Sequence, residues 1–111
     1  MTHDPFETIA DDQLTRPTGG FGPQLTAAMH RAHELGLRIT STTGGHHAPH
    51  SYHYAGRAID FAGSRGAMRE FYREMSRTHP TELFYDPMGG MKHGRNIGAI
   101  GGHHNHVHVA Y

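Results

Sequence analysis

The chain contains no cysteine, which excludes disulfides and thiolate metal sites. It has no excess of either charge, because ten Lys and Arg balance ten Asp and Glu. That balance suits neither a nucleic-acid backbone nor an anionic membrane surface. No stretch approaches the roughly 18 apolar residues of a membrane span, and apolar residues make up only 35% of the sequence. Residues 1–20 are polar and acidic and lack the apolar centre of a signal peptide. A target outside a cytoplasm would have to be reached by another route.

What is present is glycine and histidine: fifteen Gly and thirteen His among 111 residues. The length fits one domain with a core of its own, and the glycines imply tight turns and long loops. Residues 1–22 carry Pro5, Pro17 and three glycines without a clear period, which predicts an irregular lead-in to a single domain over 23–111. Within that domain Leu25, Ala28, Met29 and Ala32 recur at helical spacing, predicting a helix over 23–35 with Pro23 in its first turn and Gly36 after its end. Residues 37–42 alternate as a strand, and 44–54 read as loop. A second strand is expected over 57–62. A helix capped by Ser64 should follow, its apolar stripe made by Met68, Phe71, Tyr72 and Met75. Strands over 81–85 and 106–111 flank a long glycine-rich loop over 86–102. The sum is an α+β fold, a small antiparallel sheet of about four strands with two or three helices and a metal site on the sheet.

Eight of the histidines fall in two short stretches, 46–53 and 103–108. On the last strand alternation places His106 and His108 on one face and Val107 and Val109 on the other. His104 shares the imidazole face if the strand extends back to it. On the strand over 57–62, Ala58 and Asp60 share a face opposite Ile59 and Phe61. A carboxylate between core-facing residues needs a partner, because an isolated buried carboxylate is costly. His53 lies seven residues earlier, across a turn at Gly56 that can bring it back toward Asp60, and Ala58 leaves room beside it. Two imidazoles and one carboxylate suit Zn²⁺, and three protein ligands leave a fourth position for chemistry. Such a metal acidifies water and polarises a carbonyl.

The pattern S-x-H-x-x-G-x-A-x-D, here Ser51, His53, Gly56, Ala58 and Asp60, followed by His106-Val107-His108 near the chain end, resembles the LAS-type zinc metallopeptidases. That family includes D-Ala-D-Ala carboxypeptidases and phage L-Ala-D-Glu endolysins. The resemblance covers roughly residues 23–111. It implies one zinc ion per chain held by His53, Asp60 and His108. His106 would sit beside the metal as base or oxyanion stabiliser, with His104 as the second choice. It also implies bacterial peptidoglycan as the partner, with no nucleic acid and no membrane, and nothing requires more than a monomer. Action on the cell wall without a signal peptide implies delivery by phage, as a holin-released lysin or a virion-associated domain, or by another route.

Two positions depart from the family pattern. Many relatives carry a glutamate three residues before the last ligand; here that residue is Asn105, and residues 87–111 contain no acid. A histidine must then take the proton. Many relatives also carry a Tyr-Arg pair before the first motif, where this chain reads Thr43-Gly44-Gly45-His46-His47, which favours endopeptidase over carboxypeptidase cleavage. His46, His47, His50 and His103 match no motif position and read as surface-loop residues. His50, Ser51, Asp86 and Lys92 are the candidates for substrate contact. The other expectation, based on the missing glutamate, is a non-catalytic zinc-bearing module of the same fold that binds the wall or a protein.

Overall fold

The computed structural model describes residues 21–42 and 56–111. Most of the lead-in expected over 1–22 lies outside these residues, as do the 44–54 loop, His46, His47, His50, Ser51 and His53. Helix α1 spans Gly22–Glu34, with Pro23 in its first turn, and buries Leu25, Ala28, Met29 and Ala32. The amide of Gly36 donates to His33 O and that of Leu37 to Ala32 O, which occupies carbonyls that the helix end leaves open. Helix α2 spans Arg65–Met75; the Ser64 hydroxyl accepts the Ala67 amide at 3.1 Å as its cap. The helix buries Met68, Phe71, Tyr72 and Met75. Both apolar stripes are those expected from spacing.

Six strands form one open antiparallel sheet: β1 (Arg38–Ser41), β2 (Ala58–Ala62), β3 (Glu82–Tyr85), β4 (Gly89–Lys92), β5 (Arg95–Asn96) and β6 (Val107–Ala110), ordered β1-β2-β6-β3-β4-β5. The expected four are present within one residue at either end. The fifth and sixth correct the reading of 86–102 as loop throughout. A two-residue turn, His93-Gly94, joins β4 to β5, and both residues have positive φ, 50° and 81°. That is the geometry of a tight hairpin whose twist matches its strands. Histidine at the first turn position, in place of the usual Asn or Asp, and the paired glycines of β4 hide this hairpin from a propensity reading.

The helices lie on one face of the sheet. There Ile59, Phe61, Leu83, Val107 and Val109 are fully buried with Leu25, Met29 and Phe71. Phe61 and Phe71 meet edge to face, with ring centroids 5.0 Å apart. Each such side chain contributes about 1.5–3 kcal/mol by leaving water, so this face holds the sheet to the helices. Among the described residues no helix is long and apolar enough to cross a membrane.

A forked ion pair ties the two helices together. Arg31 Nε and Nη2 donate to Glu74 Oε1 and Oε2 at 2.7 and 2.8 Å. The Arg31 hydrogen bond pulls the Glu74 carboxyl down to about 2, against a smaller opposing effect of burial. A carboxyl depressed on folding contributes stability above its unfolded value, near 4.5, and loses it as pH falls toward the folded value. Glu74→Gln is therefore expected to be less stable than the wild type at pH 7, with the gap closing between pH 4.5 and 2. Urea unfolding midpoints across that range test this, and a gap independent of pH would refute it.

Candidate functional site

The face of the sheet turned away from the helices gathers the candidate residues that the structure describes. On β2, Ile59 and Phe61 point into the core, which leaves Ala58 and Asp60 on the opposite face. On β6, Val107 and Val109 do the same and leave His108. The antiparallel register sets Asp60 directly opposite His108, and directly opposed side chains on adjacent strands are in reach of each other. The His108 ring places Nδ1 3.0 Å from Asp60 Oδ1. Both residues are nearly closed to solvent, Asp60 at 9% exposure and His108 at 5%.

On the other flank of β6 lies β3, with Phe84 opposite His108. Their rings stack with centroids 5.1 Å apart and planes 12° from parallel. Glu82, two residues earlier on the same face, reaches His108 Nε2 with Oε1 at 2.9 Å. Its second oxygen lies 3.6 Å from Lys92 Nζ on β4. The imidazole is thus held between two carboxylates and against one aromatic ring. Glu82 did not figure among the residues expected from sequence. The alternation that singled out Asp60 also puts Glu82 and Phe84 on one face of TELFY, but an acid near the start of a strand reads as solvated.

Burial opposes charge on His108, but hydrogen bonds to Asp60 and Glu82 and the charges of both outweigh it, so its proton is held more tightly than usual. Ionised carboxylates only accept hydrogen bonds, so both ring nitrogens donate in the charged form. The Glu82 carboxyl is lowered, chiefly by its hydrogen bond to His108 against the effect of burial, with the nearby Lys92 adding to it.

His106 does not lie in the last strand, as alternation led us to expect, because β6 begins at Val107. The residue sits in the turn just before it, partly buried, with Nε2 4.0 Å from Asp60 Oδ2. Its Nδ1 lies 2.8 Å from Asn105 Oδ1 and donates to it. Burial pulls the His106 proton affinity down; Asp60 partly restores it, and the neighbouring imidazoles of His103, His108 and His104 lower it further, leaving a net decrease. His104 is exposed. His103, expected on the surface, packs its ring against His106 and edge-on to Phe84, at 4.9 and 5.3 Å between centroids.

Asp86 positions this histidine turn. Its carboxylate accepts the amides of Gly101 at 3.2 Å and His103 at 3.0 Å, and its own amide donates to His103 O. The hydrogen bond from His103 is the main cause of its lowered carboxyl, against a smaller opposing effect of burial. Asp86 and Lys92 were both candidates for substrate contact. Here one fastens the loop and the other approaches Glu82.

The structure therefore brings together Asp60, His106 and His108 of the expected residues and adds Glu82, Phe84 and His103. Among the described residues no three His, Asp or Glu side chains form a ready metal cage. Asp60 and His108 supply two donors on one point of the sheet. His53, expected as the third, lies outside the described residues, with His50 and Ser51. No protein family, curated protein or solved structure matches the chain.

Proposed function

We propose that the protein is a zinc-dependent peptidase that cuts a peptide bond in the stem peptide or cross-bridge of bacterial peptidoglycan, acting as an endopeptidase. The observation that carries this reading is the cross-strand pair of Asp60 and His108, 3.0 Å apart and nearly closed to solvent, with His106 4.0 Å from the same carboxylate. An oxygen and a nitrogen donor aimed at one another across adjacent strands match two-thirds of a His-Asp-His zinc set. The S-x-H-x-x-G-x-A-x-D motif names His53 as the third. Its turn residue Gly56 has a φ of 70°, the left-handed turn conformation that glycine adopts readily.

When bound at such a site, zinc supplies Lewis acidity toward water and toward the scissile carbonyl. The proton chemistry belongs to the chain. Asn105 accepts the Nδ1 proton of His106, which leaves the lone pair on Nε2, the nitrogen facing Asp60. Burial lowers the proton affinity of His106, which favours the neutral ring that a base requires. His106 can then take a proton from the attacking water and return it to the departing amine as the C–N bond breaks. Asn105, which stands where related enzymes place a glutamate, becomes the residue that orients the base. Delivery by phage, as a released lysin or a virion-associated domain, completes the proposal.

A non-catalytic wall-binding module is the second reading, and one observation favours it. The acid nearest the pair, Glu82, is engaged with His108 and near Lys92, so no free carboxylate base stands beside Asp60 among the described residues. Release of amino groups from purified peptidoglycan separates the two. Release that stops with a chelator and returns with zinc supports the peptidase, and the new N-terminus identifies the bond. Wall binding without release, by folded zinc-loaded protein, would replace it with the binding module.

A further inference from the structure

Glu82 has no part in the chemistry proposed above, yet it is built into the site. It opens β3 in register with Ala110, two pairs along from the Phe84–His108 pair and on the same face. That diagonal distance is within reach of a long side chain. Its side chain is 15% exposed. Oε1 takes the Nε2 edge of His108 at 2.9 Å, and Oε2 faces Lys92 at 3.6 Å.

An imidazole that binds a metal uses one nitrogen as a lone pair and carries its proton on the other. The two edges of His108 are unlike. Nδ1 is turned toward Asp60, itself an expected ligand, and Nε2 toward Glu82. The stacked Phe84 ring restrains rotation of the imidazole that would exchange the edges. We propose that Glu82 is a positioning residue of the zinc centre: it accepts the Nε2 proton of His108 and so commits Nδ1, on the Asp60 edge, to the metal. This rests on the zinc reading above and goes beyond the ligand set.

The physical case is one of tautomers. Without an acceptor at Nε2, a neutral His108 can place its proton on Nδ1 and donate it to Asp60, which closes both donors to a cation. With Glu82 Oε1 placed 2.9 Å from Nε2 as acceptor, the Nε2–H form is favoured and Nδ1 is left as a lone pair. A carboxylate behind a ligating imidazole also raises the basicity of the ring, and its loss typically lowers metal affinity by about 10–100-fold. Lys92 Nζ lies on the side of Oε2, which leaves Oε1 to face His108. The same geometry places Glu82 across the ring from Asp60, on the wrong side to serve as the proton acceptor for water.

The test is zinc affinity of the full chain, read by competition with a chelating fluorophore, together with imidazole nitrogen-15 spectra of the zinc-loaded protein. Glu82→Ala is expected to bind zinc roughly 10–100-fold more weakly. Glu82→Gln, close in shape and still able to accept through its amide oxygen, is expected to lose less, and it keeps the test open should the alanine variant fold poorly. Zinc-loaded wild type should carry the His108 proton on Nε2. Affinity in both variants within about twofold of wild type, while Asp60→Asn loses zinc, would overturn the role of Glu82 and leave the metal site standing. Metallation of His108 through Nε2 would do the same. Failure of the wild type to bind zinc at all would overturn both the site and this role.

Discussion

His108→Ala is expected to lose zinc and, with it, peptidoglycan cleavage. His108 is the most enclosed polar residue of the site and sits in β6 between the two strands that carry its partners. Apparent zinc affinities in small proteins run to about 10–16 kcal/mol; shared among three ligands, each accounts for about 3–5 kcal/mol. The expected loss is then between two and four powers of ten in affinity. The metal-free protein should suffer as well. Removal of the imidazole leaves Asp60 and Glu82 on either side of an empty position with their shared hydrogen-bond donor gone. Breaking a buried charged pair by deleting one partner costs about 3–5 kcal/mol, and uptake of a proton by one carboxyl would reduce that here. Zinc competition, and thermal unfolding with chelator in excess, measure the two effects separately. The near-isosteric Asp60→Asn supplies a second route to the same loss of metal. Undiminished zinc affinity in both variants would remove the metal site from this face of the sheet.

His106→Ala should behave in the opposite way, keeping zinc and losing turnover. His106 precedes β6, is only partly buried, and approaches Asp60 at 4.0 Å, so its removal leaves the Asp60–His108 pair intact. A positioned general base is worth about 10²–10⁴-fold in rate, and a drop of that size in amino-group release is expected at saturating zinc. Loss of zinc from this variant would make His106 a ligand. Full activity would remove it as the base and turn attention to His104, the other histidine of the turn considered for that role.

Local pattern carried much of the architecture. Spacing alone located both helices, because each must bury one stripe, and Ser64 caps its helix as its type and position suggest. Alternation placed Asp60 and His108 on faces opposite their Ile, Phe and Val neighbours, since a strand has only two faces. The same rule overreached at His106, where the chain turns before the strand begins. The hairpin of β4 and β5 was not legible, because its turn is an unusual residue pair held by pairing of β4 with β3. Glu82 is not legible as a site residue in the sequence, because its partner His108 lies 26 residues away.

The sequence by itself determined which residues face the core and which face away from it, and it singled out the histidines and Asp60 as a chemical group. These are consequences of periods of two and 3.6 residues, which act over a few neighbours. Tertiary structure alone decided that the last strand enters the middle of the sheet, between β2 and β3, in a register that sets His108 against Asp60 on one side and within reach of Glu82 on the other. Strand order and register are settled by pairing and core packing between distant segments, so the two carboxylates that define the environment of His108 meet it only in the folded chain.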